Sequence, residues 1–427
     1  MSCWLTASSL KRYLSSSEAF LGIAMTGKSA CALVAQNFKL WVTRTMHDNI
    51  SILAHFGALA DPRIDRSKRH KLVDILTIAV CAVIANASGW EDIETFAEAR
   101  VEWFKKFLEL PNGIPSHDTF RRVFARLNPK AFQKAALGWV AGIAKITGGE
   151  VIPIDGKTAR RSFDRSNSLG ALHFVSAWSA VNQLTLGQIK VNSHSNEIPA
   201  ISSLLDLLEI HGCIVTIDAM GCQRDIATKI IEHGGDYLLA LKGNQKTICD
   251  EVNQQFQGAD ADQLTKRLGD PVVTVDGDHG RIETRTYWTS CDLSVISNAA
   301  DWSGLKAIGI VERKREKNAD VSTERQYYLL SFCKTERFAK ASRSHWGIES
   351  MHWCLDMTFN EDQSRIRNGE APENFSLLRR LALSLLKNID PKLSVAKKRY
   401  KASLDERYLF KLLAVSQQLM VSRPPLS

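Results

Sequence analysis

The chain predicts a mixed α/β fold, with a sheet-based core and helical segments before and after it. Three observations predict it. First, two apolar, β-branched runs each end in an acid with a glycine close behind: Val151-Ile152-Pro153-Ile154 leads into Asp155-Gly156-Lys157, and Cys213-Ile214-Val215-Thr216-Ile217 leads into Asp218-Ala219-Met220-Gly221. A carboxylate at a strand end sits at the rim of a sheet, where sites form. Second, segments 151–244 read strand, strand, strand, helix, strand, helix, strand, the alternation of a mixed sheet carrying helices. Third, helical periodicity dominates 71–146 and returns around Glu349 and at 377–386.

Residues 1–45 are Ser-rich at the start and lack sustained periodicity. They read as a poorly specified extension, with Met46 the expected natural start. The apolar stretch from Ala19 to Gln36 is interrupted by Lys28 and is a poor membrane span. A helical domain is expected over 46–150. Leu72, Ile75, Leu76, Ile78, Ala79, Ala82 and Val83 mark a buried helix over 71–87. Ile93, Phe96, Ala97, Val101, Phe104, Phe107 and Leu108 mark an amphipathic one over 90–110, stopped by Pro111-Asn112-Gly113. Ser116 caps the next, whose Arg121, Arg122 and Arg126 make it a candidate DNA-binding element; a small bundle with a solvated basic face is the equal alternative. Phe132–Ile146 closes the region.

After the Asp155 strand, 172–178 and 184–191 complete an antiparallel meander around a turn at Asn182. A helix at 198–210, the Asp218 strand, a helix at 224–233 and a strand at 237–241 follow. This order fits the ribonuclease H-like topology, whose adjacent strands bring acids together. The first part of that catalytic core is placed at 151–244. The interval 245–335, with a helix at 245–256 and strands at 281–289, 305–313 and 326–332, reads as a β-rich insertion, too long for a loop. The core resumes at 336–390 with the helix that carries Glu349. A basic tail, 391–427, contains Lys397, Lys398, Arg399 and Lys401, read as solvated charge, and is loose from Ser416.

The chain has 427 residues, 44% hydrophobic, with 10 tryptophans and a net charge of +9. That is enough apolar material for two or three structural units, and the charge favours a polyanionic partner. Nine scattered cysteines without a C-x-x-C pair fit reduced thiols in a cytoplasm. No spacing pairs histidines with cysteines for zinc. Carboxylates from separate elements instead suit magnesium, a hard, oxygen-loving cation. Two such ions can activate a water or a 3′-hydroxyl and stabilise a leaving oxygen. Lys157, Arg160, Arg161 and Lys242, just beyond strand ends, are candidates for contacting phosphates, with Arg281 and Arg285 extending the track. Trp346 and Trp353 are expected to pack their helix; His345, His352 and Trp353 are also candidates to support the third acid or to stack on an unpaired base.

Five motifs in order, Asp155-Gly156-Lys157, Ile217-Asp218-Ala219-Met220-Gly221-Cys222-Gln223, Lys242-Gly243-Asn244-Gln245, His279-Gly280-Arg281-Ile282-Glu283-Thr284-Arg285 and His345-Trp346-Gly347-Ile348-Glu349, together resemble the H-repeat-associated family of bacterial insertion-sequence DDE transposases. Asp61-Pro62-Arg63, Gly89-Trp90-Glu91-Asp92-Ile93 and Ile114-Pro115-Ser116-His117-Asp118-Thr119-Phe120 extend the resemblance over 59–388. It implies Asp155, Asp218 and Glu349 as the catalytic, metal-binding acids and Mg2+ as cofactor, with Mn2+ a substitute. It also implies binding to terminal inverted repeats, phosphodiester hydrolysis at each end, and attack of the freed 3′-hydroxyl on target DNA. Synapsis of two ends implies a homodimer, working in the bacterial cytoplasm with no membrane. A nuclease of the same fold that never joins strands, and a decayed transposase that only binds DNA, are the competing readings. The family pattern is not matched throughout: Ser350 follows Glu349 where Asn is usual, and His352 lies three rather than four residues on. Related transposases carry Arg and Lys where His345 and Asp356 stand. Asp356, seven residues beyond Glu349 on the same helix face, is a rival third ligand.

Overall fold

In the computed structural model of the chain, residues 51–141, 149–162, 171–191, 196–278, 281–317 and 320–413 are described. The extension 1–45, Met46, His279-Gly280 and the tail from Ser416 lie outside them. Among the described residues six α-helices precede the first strand: α1 Ser51–Gly57, α2 Leu72–Ile84, α3 Trp90–Glu98, α4 Val101–Phe104, α5 His117–Phe124 and α6 Pro129–Ala141. The segment expected as one helix over 90–110 breaks at Ala99-Arg100, where Arg100 leaves helical geometry at φ −130° and ψ 24°. Its guanidinium lies 4.5 Å from the Phe96 ring and reaches the Ser403 carbonyl.

Strands β1 Val151–Ala159, β2 Leu172–Ser179 and β3 Leu184–Lys190 form the meander. Helix α7 Glu197–Leu205, β4 Ile214–Ile217, α8 Arg224–Glu232 and β5 Asp236–Leu241 follow. β1 runs antiparallel to β2 and parallel to β4, which runs parallel to β5. Then come α9 Lys246–Phe256, α10 Ala261–Leu268, β6 Val272–Asp278, β7 Arg281–Ser290, β8 Ala307–Lys317 and β9 Asp320–Leu330. The last four strands form a meander whose β9 pairs antiparallel with β5, so one nine-stranded sheet runs β3-β2-β1-β4-β5-β9-β8-β7-β6. The expected β-rich segment thus extends the central sheet, and β6 and α10 are elements the sequence did not announce.

Side-chain alternation assigns the two faces. Ile152, Ile154, Val215, Ile217, Leu239 and Leu241 join the core built with α7–α10. Val151, Ile214, Leu238 and Ala240 face the other way, against Phe338, Ala339 and Ala341 of the long helix α11, Thr335–Met357. Helices α12 Ala371–Lys387, α13 Val395–Leu404 and α14 Glu406–Leu413 share a single core with α1–α6 and the second half of α11. Trp90 packs edge-on to Phe375 with ring centroids 5.1 Å apart, and the Asn374 amide donates to the Phe124 and Leu127 carbonyls at 2.8 Å each. The N-terminal helices therefore do not form a core of their own.

The basic cluster is also not solvated charge throughout. Lys398 and Arg399 are buried within α13; Lys398 Nζ donates to the Leu386 carbonyl at 2.8 Å, and Arg399 donates to the Val83 and Thr358 carbonyls. Their stems cover apolar surface while their heads satisfy carbonyls that would otherwise be unpaired. Cys291 and Cys333, just past β7 and β9, are joined as a disulfide, which departs from the all-thiol expectation; Cys81, Cys213, Cys222, Cys249 and Cys354 are not in disulfides. Among the described residues no helix is long and apolar enough to cross a membrane.

Candidate active site

The two strand-end acids meet because of register. Val151 pairs with Ile214 and Ile154 with Ile217, so continuing the parallel pairing by one residue sets Asp155 beside Asp218. Both belong to the alternation facing α11. Asp155 accepts the Gly156 N–H at 2.8 Å, and Asp218 accepts from Met220 and Gly221 at 3.1 and 3.4 Å, which shapes the turn after β4. That turn is tied to the one after β5: Asn244 donates to the Ala219 carbonyl and Gln245 to that of Cys222 at 2.9 Å. The two distant motifs thus form one rim.

Helix α11 crosses this rim. His345 Nδ1 lies 2.8 Å from the hydroxyl of Thr216, two residues before Asp218, and His352 Nδ1 lies 3.4 Å from Asp155 Oδ2. Glu349 sits between them, one turn from His345 and about one from His352. Burial, then the Asp155 and Glu197 charges, push the Asp218 carboxyl up, against the opposing Gly221 and Met220 N–H groups. Burial and the Asp155 charge push Glu349 up as well, opposed by His352 and Arg313. Burial pushes His345 down, opposed by Asp155 and Asp218. The anionic forms of Asp218 and Glu349 are therefore both disfavoured at this rim, as is the charged form of the His345 imidazole beside them.

A cavity of about 630 Å3 opens beside Asp218 and Glu349 and is lined also by Lys242, Arg313, His345 and Trp346. Trp346 is partly exposed, with the Arg285 and Arg313 guanidinium carbons 5.5 and 5.7 Å from its ring, and Trp353 is 65% exposed. The expectation that these two tryptophans pack their helix is met by neither in full.

The candidate phosphate contacts are placed unevenly. Lys242 and Arg161 are exposed, and Arg160 is exposed while reaching Asp362 at 3.4 Å. Lys157 is buried. Its ammonium lies 2.6 Å from Asp356, 3.5 Å from Asp362 and 3.9 Å from Glu361, so it neutralises protein carboxylates instead of standing open to DNA. Asp356 is committed to that pair. Arg285 is also buried, bound to Glu283 and Asp276, and Glu283 additionally meets Arg313 and Arg315 at 3.3 Å. Arg281 lies at the start of β7, opposite Lys317.

Sequence reasoning missed Glu197, at the start of α7, and its partner His173. His173 Nε2 lies 2.5 Å from Glu197 Oε1, and its Nδ1 lies 2.7 Å from the Thr158 hydroxyl. It also missed the buried Glu361, which accepts from Arg380 at 2.9 Å and Ser376 at 3.0 Å.

Comparison with known proteins identifies the group to which these features belong. The family described as Transposase DDE domain matches residues 146–385, and the one described as DDE_Tnp_1-associated matches 53–140. A protein of Escherichia coli O157:H7 named as transposase YncI is 42% identical over 381 residues, 86% of this chain and 96% of its own length. One of Escherichia coli strain K12, named as the H repeat-associated transposase YhhI, is 40% identical over 378 residues, 86% of this chain and 98% of its own. Among solved structures, a piggyBac transposase synaptic complex with hairpin DNA aligns with 91% of this chain and 82% of its own at 13% identity and a TM-score of 0.42, too distant a likeness to carry an argument. With its acids at adjoining strand ends and its match to the family over more than half its length, the chain belongs to the DDE transposases.

Proposed function

We propose that the chain binds the terminal inverted repeats of its insertion sequence, cleaves a phosphodiester bond at each end and joins the freed 3′-hydroxyl to target DNA, with Asp155, Asp218 and Glu349 as the catalytic acids of a ribonuclease H-like core. The observation that carries this reading is the side-by-side placement of Asp155 and Asp218 on the sheet face crossed by α11, with Glu349 on the crossing helix. The strand order β3-β2-β1-β4-β5, with only β2 reversed against its neighbours, supports the ribonuclease H-like assignment. Glu349 is favoured over Asp356 as the third acid because Asp356 is held by Lys157.

The family acts with divalent metal ions, and this donor set fits one. Its oxygens are carboxylates, the ligands magnesium prefers, and burial with the nearby Asp155 charge disfavours the anionic forms of Asp218 and Glu349 until a cation offsets them. Among the described residues no three His, Cys, Asp or Glu side chains close into a ready cage; magnesium, which keeps several waters, does not require one. When bound, Mg2+ or Mn2+ would supply the charge that activates the attacking oxygen and stabilises the leaving one. The chain's own residues orient the rest. His345 anchors α11 to β4, His352 holds Asp155 from above, and the cavity with Lys242, Arg313 and Trp346 offers charge and an aromatic face to the DNA strand. Two ends must be held together for joining, so a homodimer is the working assembly, acting in the bacterial cytoplasm.

The test is a joining assay: labelled element-end DNA, a plasmid target, and Mg2+ or Mn2+. Nicked ends and covalent end–target products are expected. Nicks without joined product under every condition would replace transposition by simple nuclease action.

A further inference from the structure

Resting on the DNA-binding reading above, we infer that the cleft between α5 and the loop that follows α11 holds the phosphate backbone of the element-end duplex beside the bond being cut.

The cleft has a volume of about 770 Å3 and is walled by Arg121 of α5, by the start of α3, and by residues 363–368 of the loop. Among the described residues that line it, Arg121, Arg365 and Arg367 stand against a single carboxylate, Glu91. Arg365 and Arg367 are exposed, as are Arg122 and Arg126 at and just past the end of α5. Arg121 reaches Asp118 at 2.7 Å, with side-chain exposures of 43% and 42%. A surface pair of that kind exchanges its carboxylate for a phosphate at little cost. The Ser88 and Gly89 N–H groups are taken by Asp92 at 2.8 and 3.1 Å, so arginine side chains, not the start of α3, supply the charge. The planar guanidinium fork matches phosphate oxygens, and such contacts set the position of a duplex without reading its sequence.

The cleft is preformed and continuous with the acids. Its walls are joined where the Glu370 N–H donates to the Ala125 carbonyl at 3.0 Å, and Gly369, at φ +53°, approaches that carbonyl so closely that no side chain fits between them. Trp90, packed on Phe124 and Phe375 at centroid distances of 5.3 and 5.1 Å, gives a rigid floor. The loop wall begins at the acid rim. Asp362, next to Gln363, lies 3.5 Å from the Lys157 ammonium and accepts the Arg160 N–H at 3.2 Å, and Lys157 stands two residues along β1 from Asp155. A DNA strand leaving the acids along β1 meets this cleft next.

The test follows binding of the full chain to labelled element-end duplex, and to an unrelated duplex of equal length, by fluorescence anisotropy over a salt series. The plot of log affinity against log salt is expected to become shallower by about 0.9 for Arg365→Gln and about 1.8 for Arg365→Gln with Arg367→Gln. The double variant should lose about tenfold in affinity on both duplexes. Arg224→Gln, which removes an exposed arginine from α8 on the opposite face of the sheet, should match wild type. Urea midpoints check folding, and Arg365→Gln alone decides the matter if the double variant is unfolded. Wild-type slope and affinity in the folded variants, or an equal loss in Arg224→Gln, overturns this inference and leaves the DNA-binding reading standing. A loss confined to element-end DNA assigns these arginines to base reading and overturns the phosphate role. A wild-type chain that binds neither duplex at low salt overturns both.

Discussion

Replacing Lys157 with methionine tests whether that residue serves the fold or the DNA. Its ammonium sits among three carboxylates at 2.6, 3.5 and 3.9 Å, with the lysine side chain only 7% exposed. Removing one partner of a fully buried pair costs roughly 3–5 kcal/mol, mostly as uncompensated charge. Asp356 and Asp362 keep 31% and 20% of their exposure, so water offsets part of the loss, and the expected cost is about 2–3 kcal/mol. Asp356→Asn is expected to cost less, and the double variant to fall short of the sum by about 1 kcal/mol. Urea denaturation of the four proteins measures all three quantities. An unchanged midpoint for Lys157→Met, with weakened binding to element-end DNA, would refute the reasoning and restore lysine as a phosphate contact.

Four further predictions follow from the same geometry. Glu349→Gln abolishes end cleavage, whereas Asp356→Asn keeps it at temperatures where the variant stays folded; the reverse pattern, seen on a sequencing gel, would move the third ligand to Asp356. Asp218 and Glu349 have folded pKa values above their unfolded ones, so each binds its proton more tightly when folded, weakens the cation-free fold at neutral pH, and relieves that penalty as pH falls through its raised value. Asp218→Asn is therefore expected to raise the cation-free melting midpoint at neutral pH by about 2 °C, with the difference from wild type shrinking on acidification; a lower midpoint at neutral pH contradicts this. Gly369 adopts φ +53° and a Cβ there would strike the Ala125 carbonyl oxygen, so Gly369→Ala should cost about 2 kcal/mol in urea unfolding. Trp346→Ala should weaken binding to element-end DNA about tenfold, read by fluorescence anisotropy, if its exposed ring stacks on the strand.

Asp155 and Asp218 were legible because a strand ending in an acid is a local pattern, and matching offsets from the strand starts carry them to one face. Glu349 was not legible on those terms; a lone helix acid resembles any other, and only its place in the ordered motifs singled it out. Glu197 had a faint signal in Gly156, whose missing side chain asks what occupies the space, but the occupant comes from another element 41 positions later. The roles of Lys157 and Arg285 were misjudged for a single reason: a cation near a strand end looks the same whether DNA or a buried carboxylate neutralises it, and Asp356, Asp362 and Glu283 become neighbours only in the fold. Lys398 and Arg399 were read as solvated for the same reason, since the carbonyls that receive them belong to three other segments. The continuation of the sheet from β5 through β9 was hidden because a strand's pattern does not state its partner.

The central claim is tested most directly by incubating the chain, both full-length and starting at Met46, with its own element-end DNA and Mg2+ or Mn2+, beside Asp155→Asn, Asp218→Asn and Glu349→Gln. Strand-specific nicks at the element ends are predicted for the wild-type chain and none for the three variants, each of which should still bind the DNA. Cleavage retained in any of the three would contradict the assignment of the acids.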